Sequence, residues 1–280
     1  MRTLTVGHTP DLDDAFMFYA LIAGKVTLEH LRIEHVVQDI QTLNQRALKA
    51  ELDVTAISAA SFPLLADDYW ILGVGSSVGQ DYGPVVVSTK PYSPDDLRGR
   101  RVAVPGLQTT ACLLLQLAVP GVITVPMRFE TIPEAVLKGD VDCGLLIHER
   151  QLTYRDQGLL PSLDLGTWWH AQTALPLPLG LNVIRQSLGE PLAKQFAQGL
   201  RDSILYAMSH QDEALDGSMQ FGRGIDRVRA RQFVSLYVNE ETLSLSSRSG
   251  EALQRLYQQA HRAGLITRIP ELTILYPPKS

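Results

Sequence analysis

The sequence predicts an α/β protein with two lobes and a ligand cleft between them. Short apolar segments typical of buried strands alternate with segments of helical spacing, first over residues 3–88 and again over 101–147. Such alternation is typical of a mainly parallel sheet with helices on both faces. A proline-rich turn segment, 90–99, separates the two series. We therefore expect a larger lobe formed by residues 1–89 and 185–280, and a smaller lobe formed by residues 90–184.

The first series contains five strand candidates. They are residues 3–7, 31–37, 53–57, 70–74 and 84–88. A helix is expected over about 15–23, ending at Gly24, because apolar residues recur there at helical spacing. Asp39 is a helix-capping residue type, and the helix after it has one apolar face. A further helix is expected to open at Ser58, directly after the third strand.

The second series repeats the same order of elements. Its strand candidates are residues 101–104, 122–129 and 142–147, with a return strand at 181–184. Thr131 and Glu134 have the spacing of a capping box, which predicts a helix start. After the return strand the pattern is helical to about Gly264, with stops near Gly222 and at Glu241–Thr242. These helices need a sheet to pack on, and we assign them to the larger lobe.

Composition limits the class of protein. The chain has 280 residues, is 45% hydrophobic and 20% charged, and carries a formal net charge of -5. Such a composition is ordinary for a globular protein and lacks the basic surface of a nucleic-acid-binding protein. We find no secretory signal pattern and no apolar run long enough for a membrane span, so we expect a cytoplasmic protein. Cys112 and Cys143 form neither a disulfide framework nor a metal ligand set.

His148 is the candidate catalytic residue. It stands at the carboxyl end of an apolar strand, where open α/β sheets bind their ligands. A histidine at such a position can act as a general base near neutral pH. The alternative is a strand-end histidine that hydrogen-bonds a loop carbonyl.

Two helix starts predict an acidic ligand. Ser58 and the pair Thr109–Thr110 each follow a strand and open a helix. A helix start presents free backbone N–H groups and favours a carboxylate or phosphate. The alternative is helix capping without a ligand. Gly106 lacks the glycine repeats of a nucleotide-binding loop, so we expect no nucleotide cofactor.

Other candidates are less specific. Asn44 is either a cleft residue or a surface asparagine, and His8 either belongs to the site or is structural. Tyr154 and one of Trp168 and Trp169 are further candidates for the cleft wall. The acidic residues at 11, 13 and 14 could suggest a metal, but we expect one of the last two to cap a helix and expect no metal site.

We expect a small carboxylate as ligand and neither nucleic acid nor a membrane as partner. The sequence leaves the oligomeric state open, and a homodimer is one alternative.

Several motifs together resemble one family. They lie at residues 9–10 and 14, 16–21, 38–44, 102–106, 109–111, 146–149, 164–169 and 175–180. This set is similar to the 1,4-dihydroxy-6-naphthoate synthases of the futalosine route to menaquinone, in register from residue 1 to about residue 245. The resemblance implies a two-lobed periplasmic-binding-protein-like fold of type II. It also implies a lyase that cleaves a carbon–carbon bond of cyclic dehypoxanthinyl futalosine without a cofactor.

The resemblance also implies roles for individual residues. His148 matches the proton acceptor of the family. Ile57 and Ser58 match one substrate-binding segment, and Ala56 directly before them is a further candidate. Thr110 and Ala111 match the other segment, and Thr109 directly before them is a further candidate.

The chain departs from the family pattern at two places. The usual first loop, Ser-Pro-Cys-Pro-Asn-Asp-Thr-Phe, is here Thr-Pro-Asp-Leu-Asp-Asp-Ala-Phe at residues 9–16. Ala56 replaces a common lysine, and Arg150 or His8 could supply the lost positive charge. The alternatives are a paralogue with a related substrate, a non-catalytic small-anion binding protein of the same fold, and, third, a chorismate dehydratase. We expect the lobes to close on the ligand.

Overall fold

The computed structural model describes residues 1–80, 82–221 and 225–278. The strands are β1 (Arg2–His8), β2 (Leu31–Val37), β3 (Val54–Ser58), β4 (Tyr69–Leu72), β5 (Ser77–Gly79), β6 (Val85–Ser88), β7 (Arg101–Val104), β8 (Ile123–Pro126), β9 (Cys143–Leu146), β10 (Leu160–Asp164), β11 (Leu177–Arg185) and β12 (Ile274–Leu275). The α-helices are α1 (Leu12–Met17), α2 (Tyr19–Ile22), α3 (Ile40–Ala47), α4 (Thr110–Ala118), α5 (Ile132–Lys138), α6 (Arg150–Thr153), α7 (Leu165–Thr173), α8 (Glu190–Ser209), α9 (Gln211–Met219), α10 (Arg227–Tyr237), α11 (Glu240–Leu243) and α12 (Ser247–Arg262).

The strands form two separate sheets. The larger sheet has the order β12-β4-β11-β3-β1-β2, with β5 also paired to β11. Its strand β1 is parallel to β2 and β3, whereas β11 is antiparallel to β3, β4 and β5. The smaller sheet has the order β10-β6-β9-β7-β8, with β7 parallel to β8 and β9. Both sheets are therefore mixed rather than mainly parallel.

The boundaries between the lobes differ from the predicted ones at residues 89 and 184. Strand β6 was expected in the larger lobe but pairs with β9 and β10 in the smaller sheet. Strand β11 lies at the centre of the larger sheet, so nearly all of it falls on the wrong side of the predicted boundary. The apolar residues of both strands predict that each strand is buried between neighbours, but they do not specify which sheet supplies those neighbours. The proline-rich segment 90–99 contains a 3₁₀ helix, Pro94–Leu97, after the chain has already crossed.

The C-terminal helices pack on the larger lobe. Phe196, Leu200 and Ile204 of α8 and Phe233 of α10 are buried in one apolar cluster with Leu4 of β1. Strand β12 adds a short parallel edge to β4, although no strand was expected after residue 184. The break predicted near Gly222 lies outside the described residues. Within the described chain, no helix is both long and apolar enough to cross a membrane.

The first turns of α5 and α1 differ from the prediction in their capping and in their first residue, respectively. The chain at Thr131 forms no capping box, because the Thr131 hydroxyl donates to the carbonyl of Arg128 at 2.7 Å. Helix α1 begins at Leu12, which is earlier than predicted, so Asp13 and Asp14 lie inside its first turn. Asp11 occupies the N-cap position, but its side chain does not cap the helix.

Direct contacts join the lobes beside the cleft. The Gln41 side-chain amide, on α3, donates to Oε1 of Gln108 at 2.9 Å, and the Gln108 backbone N–H donates back to Gln41 at 3.3 Å. A side chain at Gly106 would overlap the end of the Gln41 side chain, so Gln41 would have to move from its position beside Gln108. The structure therefore has its two lobes in contact around the cleft.

Candidate functional site

A cavity of about 700 Å³ lies between the two lobes. The sequence-predicted residues that line it are His148, Ala56, Ile57, Ser58, Thr109, Thr110 and Ala111. They come from the ends of β3 and β9 and from the start of α4. The fold thus brings the two predicted binding segments and the candidate base to one place.

His148 has an unusual backbone conformation. It follows β9 by two residues and has a φ of 54°, in the left-handed region that non-glycine residues rarely occupy. In the amide orientation that satisfies both ends of Gln151, its oxygen accepts from the His148 backbone N–H at 3.2 Å, and its nitrogen donates to the Gly83 carbonyl at 2.6 Å. Such conformations persist where the surroundings hold them, and they cluster at functional sites.

The imidazole of His148 is held by an acidic partner. Its Nε2 lies 3.1 Å from Oδ2 of Asp11, and the edge of the Phe129 ring system lies against it at a centroid distance of 5.4 Å. The Asp11 side chain is only 2% exposed, whereas that of His148 is 18% exposed. A carboxylate on one ring nitrogen fixes the neutral tautomer and leaves the other nitrogen to accept a proton.

The turn after β1 gathers three buried aspartates, Asp11, Asp13 and Asp14. Asp14 Oδ2 accepts from the Thr9 backbone N–H at 2.7 Å. Burial raises the pKa of Asp14 to about 6. The pKa of Asp13 is raised well above its usual value, first by burial and then by the charges of Asp14 and Asp11. The sequence pattern predicts helix caps or metal ligands at these positions, although three acidic residues closely following a strand are also a signal for a functional site.

Ser58 is positioned by Asn44. The Asn44 side-chain nitrogen donates to Ser58 Oγ at 3.0 Å, and its oxygen accepts from the Ser58 backbone N–H at 2.8 Å. Asn44 is fully buried, so the alternative of a surface asparagine was wrong. It supports the cavity wall from behind. Ser58 itself ends β3 and precedes a 3₁₀ helix, Ala59–Leu64, in place of the predicted α-helix.

The two threonines at the start of α4 have different partners. Thr109 caps the helix, because its Oγ1 accepts from the Cys112 backbone N–H at 3.2 Å. Thr110 joins the lobes, since its hydroxyl accepts from the Ala60 N–H at 3.1 Å and donates to the Leu179 carbonyl at 2.7 Å. Both hydroxyls are therefore used within the protein. The first backbone N–H groups of α4 are the groups that remain for an anion.

Some sequence candidates lie away from the cavity. His8 ends β1 as predicted, but its ring stacks on Phe18 at 4.7 Å and contacts His35. Trp169 is buried and donates its indole N–H to the Pro176 carbonyl at 3.0 Å. Tyr154 and Trp168 pack in the apolar core, and neither is among the residues that line the cavity. The sequence could not assign these positions, because strand ends and aromatic residues occur both at ligand sites and in apolar cores.

Other lining residues were not predicted from the sequence. Gln151, Phe233 and Tyr237 all contribute to the cavity wall. Burial raises the pKa of Tyr237, whose hydroxyl lies 3.0 Å from the Gln151 side chain. The helix α10 that carries Tyr237 is distant in sequence from every other part of the site, so no local pattern connected them.

The charged groups in the cavity wall are few. Among the described residues that line it, none is lysine or arginine, and the ionisable ones are Asp13, Asp14, His148 and Tyr237. Arg150, a candidate for replacing the family's lysine, faces a different surface depression, and Ala56 occupies the lysine position. Within the described chain, no three histidine, cysteine or acidic side chains are arranged to hold a metal ion. An anionic ligand would rely on backbone N–H groups and neutral donors.

Comparisons with known proteins identify the family. A family profile described as "Menaquinone biosynthesis" matches residues 4–262. Two proteins named 1,4-dihydroxy-6-naphthoate synthase are similar over nearly their whole length. The one from Thermus thermophilus is 38% identical over 96% of this chain and 98% of its own, and the one from Streptomyces coelicolor is 35% identical over 98% and 99%.

Solved structures agree with the observed architecture. A crystal structure of a protein from Archaeoglobus fulgidus has a TM-score of 0.91 at 51% identity, over 94% of this chain and 98% of its own. The alkanesulfonate-binding protein of Xanthomonas axonopodis has a TM-score of 0.75 at 12% identity, over 98% of both chains, and supports the fold alone. The periplasmic-binding-protein-like fold expected from the sequence is thereby confirmed. The chain belongs to the menaquinone biosynthesis family and is an enzyme of that pathway.

Proposed function

We propose that this enzyme is a carbon–carbon lyase that converts cyclic dehypoxanthinyl futalosine into 1,4-dihydroxy-6-naphthoate, with His148 as the base. The observation that carries the proposal is the position of His148. It lines the cavity between the lobes while its Nε2 contacts buried Asp11 at 3.1 Å. The names of the two curated relatives supply the product.

The Asp11 contact assigns a role to each ring nitrogen. With the Asp11 carboxylate accepting from Nε2–H, the lone pair of neutral imidazole is on Nδ1. Nδ1 is then the atom that removes a proton from the substrate, and Asp11 stabilises the imidazolium that forms. General base catalysis of this kind contributes about 10²–10⁴-fold to a rate.

The opposite wall suits the carboxylate of the naphthoate. Thr110 and Ala111 begin α4, and the partial positive charge of a helix N-terminus favours a carboxylate. Ile57 and Leu181 add apolar wall that an aromatic ring can contact. When His148 removes a proton, the adjacent carbon–carbon bond breaks, the sugar-derived fragment leaves, and the naphthoate remains in this pocket.

The test is turnover of purified protein on cyclic dehypoxanthinyl futalosine, with product followed by chromatography. His148→Asn is the more informative variant, because asparagine tolerates the left-handed backbone but cannot act as a base. His148→Ala accompanies it, and His261→Asn, at an exposed position on α12, is the matched control. We expect both His148 variants to bind the product and to lose turnover by about 10²–10⁴-fold.

Two outcomes would overturn the proposal. If wild-type protein binds a small anion tightly and releases no naphthoate, the chain is a binding protein or acts on a related substrate. If wild type and His148→Asn convert the substrate at the same rate, the lyase activity is retained and the proposed role of His148 as the base is rejected.

A further inference from the structure

Asp13 lines the cavity and has a buried side-chain oxygen without a hydrogen-bond partner among the described residues. Its side chain is only 7% exposed, and Asp13 lines the cavity together with His148. Its Oδ1 is buried and has no hydrogen-bond partner within the described chain. A buried polar atom without a partner costs about 1–3 kcal/mol, so proteins retain such atoms mainly where a ligand or water completes them.

The surroundings of Asp13 oppose a negative charge. Asp11 and Asp14 both act to raise its pKa, and burial acts more strongly in the same direction. Asp13 in turn contributes to the raised pKa of Tyr237 and of Tyr82 on the neighbouring elements. Backbone N–H groups of Asp13 and Asp14 favour the carboxylate but do not offset these effects.

The positively charged partners available to these acids are limited. Of the described residues in the cavity wall, His148 is the one that can carry a positive charge, and it contacts Asp11. Its protonation lowers the pKa of Asp14, which is nonetheless raised to about 6. Burial without a dedicated cation leaves the protonated carboxyl as the stable form of an acidic side chain.

We propose that Asp13 is a further substrate-contacting residue, which acts as a neutral carboxyl group and donates a hydrogen bond to an electron-rich oxygen of the substrate. The identity of that substrate rests on the proposed function, whereas the donor role does not. The ligand class is a molecule with a carbonyl, phenolate or carboxylate oxygen that reaches the first turn of α1.

This donor would complement the base chemically. When His148 removes a proton, negative charge develops on the substrate, and a donor fixed at the place where charge collects lowers the barrier. A carboxylic acid kept neutral by an apolar site can serve as such a donor. Asp13 keeps its proton throughout, so His148 alone accepts a proton in this step.

Position 13 also offers a matched pair of variants. Asparagine is nearly isosteric with a neutral carboxyl group and presents one donor and one acceptor end, so Asp13→Asn preserves the proposed hydrogen bond. Asp13→Ala removes it. Thermal unfolding of both variants checks that they fold.

The first experiment measures protonation without any ligand. Infrared difference spectra between wild type and Asp13→Asn, recorded at pH 7, report the band of a protonated carboxyl group. We expect the wild type to have this band and Asp13→Asn to lack it, with Asp14→Asn as the control for the neighbouring acid. A spectrum in which Asp13→Asn removes only carboxylate bands would overturn the proposal.

The second experiment measures binding of 1,4-dihydroxy-6-naphthoate between pH 6 and 9. We expect about a 10–100-fold weaker affinity for Asp13→Ala and an affinity within about threefold of wild type for Asp13→Asn at pH 7. Asp13→Asn cannot ionise at position 13, so any pH dependence of affinity that arises from Asp13 should be present in the wild type and absent from this variant. The other ionisable groups are common to both proteins, so the difference between them isolates Asp13.

The outcomes separate the two proposals. Equal affinities of wild type and Asp13→Ala, or equal losses in Asp13→Asn and Asp13→Ala, would overturn the donor role whatever the turnover. A protein that shows the protonated band and the expected order of affinities but no turnover would retain the donor role and lose the lyase function.

Discussion

Nε2 of His148 lies 3.1 Å from Oδ2 of Asp11, and this contact joins the smaller lobe to the larger one. His148 follows a strand of the smaller sheet, and Asp11 follows the first strand of the larger sheet. We therefore expect the candidate base to be fully oriented only when the lobes are together, so that closure of the lobes would also orient the base.

The contact between Asp11 and His148 predicts that Asp11→Asn, a nearly isosteric substitution, will greatly reduce kcat. In Asp11→Asn the amide nitrogen donates to Nε2, so the proton moves to Nδ1 and the proposed base loses its lone pair. We expect kcat to fall by about 10²–10⁴-fold with little change in KM, because the tautomer matters more to proton transfer than to binding. Asp95→Asn, at an exposed position, is the control. A KM that rises while kcat stays constant would contradict this assignment.

Asn44 should affect both stability and binding. Asn44→Ala leaves the Ser58 backbone N–H and hydroxyl without their partner in a buried place. We expect a loss of about 1–3 kcal/mol in the free energy of unfolding, measured by urea denaturation, and weaker binding of the naphthoate. Gln45→Ala, on the exposed side of the same helix, should change neither. An unchanged affinity would show that Ser58 needs no support from Asn44.

Ala56 allows the missing positive charge to be restored. Ala56→Lys places an ammonium group at the wall of a cavity that otherwise lacks lysine and arginine among its described lining residues. We expect about three- to tenfold tighter binding of the naphthoate anion at low salt, with the gain reduced as ionic strength rises. Ala56→Met has similar length without charge and separates electrostatics from packing. Equal affinities of the two variants would contradict an electrostatic gain.

His8 predicts a pH dependence of stability. Burial, followed by the neighbouring charge of His35, lowers the pKa of His8 from 6.5 to about 4. Because the folded state disfavours the protonated ring, the stabilising contribution is complete above pH 6.5 and is lost as pH falls toward about 4. The loss corresponds to about 3 kcal/mol in the free energy of unfolding.

The difference between wild type and His8→Phe isolates this effect. Phenylalanine can keep the stack on Phe18 but does not titrate, so the variant should lose less stability than wild type between pH 7 and 4. Asp14 contributes with the opposite sign as pH rises to about 6, and it is common to both proteins. Parallel pH profiles from chemical denaturation would show that His8 is not the responsible group.

The balance between open and closed lobes should shift toward the open form when one of the direct contacts between them is removed. Gln41→Ala eliminates the paired hydrogen bonds to Gln108. We expect a larger radius of gyration for unliganded Gln41→Ala than for Gln45→Ala in small-angle scattering. Saturating product should reduce the radius in both proteins, because closure completes the ligand contacts. Scattering that shows no compaction with product would contradict lobe closure.

The local elements were largely predictable from sequence. The apolar face after Asp39, the buried strand before His148 and the start of α4 all occur close to where periodicity and capping chemistry placed them. The capping box at Thr131 was wrong because the hydroxyl bonds backward to Arg128 instead of forward into the helix. A sequence pattern does not specify which backbone group a hydroxyl will bond, because several nearby groups compete for the same hydroxyl.

Two series of α/β elements, the family and the segments that line the cavity could all be predicted from the amino-acid sequence. These follow from hydrophobic periodicity and from motifs in which each residue acts close to its neighbours along the chain. Three other features are evident only in the folded protein: β11 belongs to the larger sheet, Asp11 contacts His148, and Asp13 is a buried residue of the cavity wall. Each of these depends on which distant segments meet, and a run of apolar or acidic residues does not specify its partner. The low dielectric environment that sets the charge of Asp13 exists only after the two lobes and α10 come together.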